Sequence, residues 1–212
     1  FTEDPDLCRA FEEDRDIHTE VAAAVFDVPT EEVTSEQRRK AKGVNFGVIY
    51  GQSAFGLAKQ LRIDREEAST FIKSYFAKYP RIDIFLDRVL EDARRDGFVS
   101  TILGRKREIS GLPDMRGKQS SMAERTAINT VIQGSAADLI KRAMVNIYQR
   151  MQRESSSARM LLQIHDELIF EVPEAELDAT AAVVKRVMEG AAHLSVPLTV
   201  DVGIGDSWAE AH

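Results

Sequence analysis

Only one cysteine, Cys8, occurs in 212 residues. An internal disulfide is therefore impossible, and the chain suits a reducing compartment. No apolar run approaches the ~20 residues that cross a bilayer. No basic-then-apolar opening leads to a small-residue cleavage site, so no secretory signal is visible. Internal repeats and low-complexity segments are absent too. What is present is ordinary for a soluble globular protein, with 43% hydrophobic and 30% charged residues. The length allows one large domain or two small ones. The chain begins at Phe1 without Met, and a piece of a longer protein is expected.

The net charge of −7 argues against a polyanionic partner only as an average. Residues 1–36 carry a net −10, residues 37–153 a net +11 and residues 154–212 a net −8. A basic middle between acidic flanks can serve DNA or nucleotide phosphates; it can equally be a set of solvated helix faces.

The hydrophobic pattern is mainly helical and predicts an α+β fold. Short helical pieces are expected between 4 and 26, ending near Pro29. Thr34 with Gln37 three residues on fits a capping box and opens a helix running to Tyr50, where Gly51 stops it. Asp64 with Glu67 repeats the pattern and opens a helix to Lys78. Another helix is expected over 82–96, stopped by Gly97. Two short strands should flank Leu103-Gly104-Arg105, followed by a loop over 110–121. A long helix over 121–153 has Gly134 as a soft point, and Ser155-Ser156-Ser157 reads as a linker. Apolar runs at 160–164 and 168–172 form a covered hairpin around His165-Asp166-Glu167. A helix over 174–194 and a strand over 198–202 complete the expectation.

Three constellations carry chemistry. Arg38, Lys42, Phe46 and Tyr50 recur every four residues, so on a helix they drift only ~40° and rise ~6 Å per step. Two cations followed by two rings match a nucleotide laid along the helix: phosphates on the cations, base or sugar against a ring. The same spacing serves an amphipathic helix with Phe46, Ile49 and Tyr50 in the core. Gly43 and Gly47 each cost ~1 kcal/mol against alanine in a helix, which suggests a close approach to the backbone or a bend. At the hairpin tip, Asp166 and then Glu167 are hard-oxygen candidates for Mg²⁺, or simply turn residues. Arg125, Asn129 and Gln133 form a second stripe of forked donors and amides. It suits nucleic-acid backbone and minor-groove contacts, or plain solvation.

These motifs, in this order, resemble the family A DNA polymerases. Arg38-x3-Lys42-x3-Phe46-Gly47-x2-Tyr50-Gly51 is similar to the family's fingers motif. Gln163-Ile164-His165-Asp166-Glu167 is similar to its palm metal motif, and Arg125-x3-Asn129-x3-Gln133-Gly134 to its minor-groove helix. Asp16-Ile17-His18, residues 53–58 and Leu103-Gly104-Arg105 also match. The resemblance implies mostly helical fingers over 1–120 and the C-terminal part of a palm over 121–212. It implies that His18, Arg38 and Lys42 hold the triphosphate of a dNTP, with Lys42 also protonating the leaving pyrophosphate. Phe46 would pack on the nucleotide and Tyr50 near the templating base. Arg125, Asn129, Gln133 and His165 would contact primer–template DNA. Asp166 would bind catalytic Mg²⁺ with Glu167 close by, and Asp166 and Lys42 would be the catalytic pair.

The chain departs from the family at Gly43, where alanine is common. It also lacks the motif carrying the family's other metal-binding aspartate, so one ligand of the two-metal site is expected to be missing and the isolated chain inactive. The parent is expected to be a monomeric, cytoplasmic, nucleoid-associated replication and repair enzyme of bacterial or phage type. A phage-type single-subunit RNA polymerase and a binding-only DNA or nucleotide module are the alternatives.

Overall fold

The computed structural model describes residues 1–110 and 118–211. Two compact units divide the chain, Phe1–Ser135 and Ala136–His212. The fold is α+β, with two small antiparallel hairpins among helices. No helix among the described residues is long and apolar enough to cross a membrane.

The first unit contains α1 (Pro5–Glu12), α2 (Ile17–Phe26), α3 (Ser35–Ile49), α4 (Ala54–Leu61), α5 (Arg65–Lys78) and α6 (Pro80–Asp96), then β1 (Phe98–Ser100), β2 (Lys106–Glu108) and the beginning of α7 (Lys118–Glu154). Its helix starts are built by side-chain caps. Asp4 accepts from the Asp6 and Leu7 amides, Asp16 from His18, and Ser53 from Gly56. Thr34 and Gln37 complete the expected capping box: the Thr34 amide donates to Gln37 Oε1 at 2.8 Å, and the Gln37 amide to Thr34 Oγ1 at 3.2 Å. The second box is not made. Asp64 occupies the N-cap of α5 without a side-chain bond, while Glu66 and Glu67 still complement the helix dipole. Helix α6 begins at Pro80, two residues earlier than expected, because proline's fixed φ suits a first turn. Gly97 ends it in the left-handed region at φ 75°.

The core of this unit joins Val21 and Val25 of α2, Val44 and Val48 of α3, Leu57 of α4, Phe71 and Tyr75 of α5, Phe85 and Val89 of α6, and Ile128 and Val131 of α7. One polar bond lies within it: the Tyr75 hydroxyl donates to Asn45 Oδ1 at 2.8 Å, and both residues are buried. The β1–β2 hairpin is held to α7 where the Ile102 amide donates to Ser135 Oγ at 2.8 Å. A Cβ at Gly134 would lie 3.0 Å from Thr101 Cγ2. The glycine expected as a soft point thus makes room for the hairpin while the helix runs through it unbroken. Of the loop expected at 110–121, residues 111–117 lie outside the described residues, and 118–121 already belong to α7.

The second unit holds the rest of α7, β3 (Arg159–Ile164), β4 (Glu167–Glu171), a 3₁₀ turn (Glu174–Glu176), α8 (Leu177–Glu189) and α9 (Trp208–Ala211). Ile147, Met151 and Val184 are buried with Met160, Leu168 and Phe170 packed against them. Three expectations are corrected. The hairpin is not covered on both sides: Leu161 and Leu162 are 51% and 54% exposed, because this two-stranded ribbon, with an irregularity in register between Met160 and Leu162, packs one face only. The helix expected to reach 194 ends at Glu189, before Gly190. Residues 198–202 are not a strand. Instead of a neighbouring strand, α8 serves the backbone of Val200, with Lys185 Nζ donating to its carbonyl and its amide donating to Glu189 Oε1.

Replacing Tyr75 by Phe leaves the buried Asn45 oxygen unpaired at constant ring volume. Tyr75→Phe is expected to destabilise the chain by about 1–3 kcal/mol, read as a lower urea midpoint. Equal midpoints for the two proteins would show that the bond contributes nothing.

Candidate nucleotide and nucleic-acid interface

Helix α3 turns its apolar side inward and its chemistry outward. Ala41, Val44, Asn45, Gly47 and Val48 are buried. Arg38 and Lys42 are exposed, Phe46 is 43% exposed and Tyr50 half-buried. The alternative of Phe46 as a core residue is therefore excluded. Its ring lies 5.8 Å from the His18 ring and stacks on Tyr50 at 6.0 Å and 19°. The four-residue spacing has become one continuous surface of two cations and two rings, with the His18 imidazole beside it.

The glycines admit the protein's own side chains. A Cβ at Gly43 would fall 2.6 Å from Leu61 Cδ2, and one at Gly47 would fall 2.5 Å from Gln52 Oε1 and 3.2 Å from Leu57 Cδ1. Helix α4 and the turn before it thus lie tight against α3. Gly43, the departure noted in the sequence, is the seat of Leu61.

Asp16 organises the basic end. Its Oδ2 accepts from Arg38 Nε at 2.5 Å and from Thr19 Oγ1 at 2.7 Å, while Oδ1 accepts from the His18 amide at 3.0 Å. The hydrogen bond from Arg38 is the main cause holding the Asp16 carboxyl well below the usual carboxylate range. Burial pushes the His18 imidazole below its ordinary 6.5; Asp16 opposes this and the Arg38 and Lys42 charges reinforce it. His18 Nδ1 is buried without a hydrogen-bond partner. Among the described residues neither Lys42 nor Arg125 takes part in an ion pair.

The second stripe also forms. Arg125 and Gln133 are exposed on α7 with Asn129 between them, opposite the buried Ala127, Ile128 and Val131. Arg107 Nη1 donates to Thr130 Oγ1 at 3.1 Å, and Arg94 pairs with Glu124 at 2.5 Å, fixing this part of α7. Asn129 Oδ1 is a buried acceptor with no partner. The two stripes meet at one place: Phe46, Gly47, Tyr50, Gln52, Gln60 and Arg125 line an open concavity of about 400 Å³. A Cβ on Gly51 would touch the Arg125 stem at 3.2 Å, and Gly51 itself sits at φ 68°. Gln52 and Gln60 were not expected here. Gln52 Nε2 donates to Gln60 Oε1 at 3.1 Å across the turn into α4, a pairing with no periodic signature in the sequence.

In the second unit the hairpin turn is tighter than expected. Ile164 pairs with Glu167, so only His165 and Asp166 form the turn and Glu167 opens β4. His165 takes φ 52°, as a two-residue hairpin turn requires of a central residue, and its carbonyl accepts from Gln163 Nε2 at 2.6 Å. Asp166 is exposed at the tip and Glu167 half-buried. Two adjacent carboxylates are the right donors for a hard divalent cation but only part of the six oxygens Mg²⁺ requires. No group of three or more His, Cys, Asp or Glu residues gathers among the described residues.

The first unit thus carries a row of cations and rings on α3 beside an amide-bearing stretch of α7, and the second unit carries an acidic hairpin tip. The sequence model of DNA polymerase family A matches residues 1–210, and the chain belongs to that family. It is 46% identical over 212 residues to DNA polymerase I of Pseudomonas aeruginosa, covering 100% of this chain and 23% of that protein. It is 47% identical over 211 residues to the thermostable DNA polymerase I of Thermus aquaticus, covering 98% and 25%. The solved polymerase domain of Pol1 from M. smegmatis, in complex with DNA primer-template and dNTP, matches with a TM-score of 0.94 and 44% identity over 99% of this chain and 37% of that one. The chain spans about a quarter of the length of these curated relatives.

The depressed His18 value carries a sign. Its folded pKa lies below the unfolded one, so neutral His18 contributes stability fully present above about 6.5 and lost as pH falls through the lower folded value. A proton NMR titration should place the His18 midpoint below 6.5, and Lys42→Ala should raise it by removing a like charge. A midpoint at or above 6.5 in the unaltered chain would contradict the burial seen here.

Proposed function

We propose that this chain is the fingers, over 1–120, and the C-terminal part of the palm, over 121–212, of a DNA-directed DNA polymerase. The observation that carries the reading is the solvent-facing row Arg38–Lys42–Phe46–Tyr50 with His18 beside it and Arg125 at its far end. Arg38, Lys42 and His18 would bind the triphosphate of an incoming dNTP, and Phe46 would lie against its sugar and base. Tyr50, in the concavity with Arg125, would face the templating base. Arg125, Asn129, Gln133 and His165 would contact primer and template.

The reaction is attack of a primer 3′-hydroxyl on the α-phosphate with departure of pyrophosphate. Lys42 would hold the negative charge growing on the leaving group and deliver its proton there. Family A DNA polymerases use divalent metal ions; in this chain Asp166, with Glu167, would hold Mg²⁺ together with ligands from elsewhere. Such a bound cation offsets charge on the attacking and leaving oxygens. The membership in a DNA polymerase family favours dNTPs over NTPs and the DNA enzyme over a single-subunit RNA polymerase. The small number of carboxylates gathered at the hairpin favours a second reading for the isolated chain, binding without turnover.

Primer extension with dNTPs and Mg²⁺ tests both. The chain joined to a family-type upstream palm and thumb should extend a primer, and Asp166→Ala should abolish extension. The 212-residue chain alone should not extend. In the joined form, Lys42→Ala should slow incorporation by about 10²-fold or more, as loss of a general acid does, with primer–template affinity nearly unchanged. Equal losses in rate and DNA affinity would remove Lys42 from the chemistry.

A further inference from the structure

The residue that binds both sides of the phosphate cradle is an acid. Asp16 caps α2, the helix that carries His18, and the same carboxylate grips Arg38 of α3. Arg38 uses only Nε in that bond, which leaves both of its Nη groups for another acceptor. Its side chain is 48% exposed, so without a partner it would sample many rotamers and lose that freedom on binding an anion. Nearby Arg15 does not compete for the carboxylate, because Glu13 and Glu20 engage it at 3.0 and 2.8 Å. Thr19 donates to the same oxygen as Arg38 and fixes the carboxylate plane.

We infer that Asp16 is a positioning residue for nucleotide binding: it acts through Arg38, holding the guanidinium with its Nη fork available to a phosphate beside His18. This rests on the phosphate-binding reading of Arg38 given above. The depressed Asp16 carboxyl keeps the grip ionised at neutral pH. The unpartnered, buried Nδ1 of His18 adds a second polar atom next to the same cradle. Two effects of Asp16 oppose each other. Its negative charge repels phosphate through solvent, whereas its contact with Arg38 pre-organises the donor. A phosphate on the Nη fork would lie within the Debye length of about 8 Å at 0.15 M salt, so screening removes only part of the repulsion; the guanidinium charge between the two anions offsets the rest, and the lower ordering cost of a held donor prevails.

The test is calorimetric titration of the full chain with inorganic tripolyphosphate at 0.15 M salt, comparing Asp16→Asn, Arg38→Ala and the double variant. Asparagine caps a helix as well as aspartate does, so Asp16→Asn keeps the start of α2 and its thermal midpoint. Asp16→Asn is expected to weaken binding about three- to tenfold, and Arg38→Ala to weaken it more. On the Arg38→Ala background, Asp16→Asn should add less than about twofold, because the residue through which it acts is gone. Tighter or unchanged binding by Asp16→Asn, with Arg38→Ala weakened, overturns the role of Asp16 alone. An equal loss on both backgrounds also overturns it and makes Asp16 merely structural. Unaltered binding by Arg38→Ala overturns both this inference and the phosphate-binding reading of α3.

Discussion

The burial of one side of α3 is the constraint on which the first unit depends. Ala41, Val44 and Val48 give that side little bulk, and Gly43 and Gly47 give it none, so Leu61 and Leu57 come against the helix backbone. Two glycines cost the helix ~2 kcal/mol in propensity relative to alanine. Full burial of Leu57, worth about 1.5–3 kcal/mol, and partial burial of Leu61 offset this. The bond from Tyr75 to Asn45 then fixes how α3 is rotated on the core. With that rotation fixed, Arg38, Lys42 and Phe46 face solvent and Tyr50 reaches the concavity. The outward chemistry follows from an inward packing requirement.

Features that depend on neighbours in sequence were mostly legible in it, with the unmade Asp64–Glu67 box as the exception. The Thr34–Gln37 box, the stop at Gly51, the turn around Leu103-Gly104-Arg105 and the two four-residue stripes all use contacts within a few residues. Features that need a distant partner were not. Nothing local announces that Asp16, 22 residues before Arg38, is its partner, or that Gln52 will pair with Gln60 across a turn. Residues 198–202 have the composition of a strand, but a strand exists only with a hydrogen-bonded neighbour, and the side chains of α8 take that place here. Leu161 and Leu162 mislead for a related reason. Apolar composition shows that a residue tolerates burial, while exposure depends on what else packs on the ribbon.

The charge map shows the same division between composition and contact. The sequence separates an acidic opening from a basic middle. In the folded first unit the opening is spent on the middle: Asp6 pairs with Lys78 at 2.9 Å, Asp16 with Arg38, and the Glu3 carbonyl accepts from Arg81. These exposed pairs contribute little stability individually. Their larger consequence is selection among cations. Lys78 is engaged in tethering α5 to the opening, whereas Lys42 remains without an ion pair among the described residues. A uniformly basic surface would attract polyanions without preference for any position. On α3, Lys42 and the Nη fork of Arg38 stay available on the same face as the Phe46 and Tyr50 rings, with Arg125 of α7 across the concavity from Tyr50. Cations alone would give a generic affinity for phosphate; on the proposed reading, selectivity for a nucleotide would come from cations and exposed rings sharing one stripe.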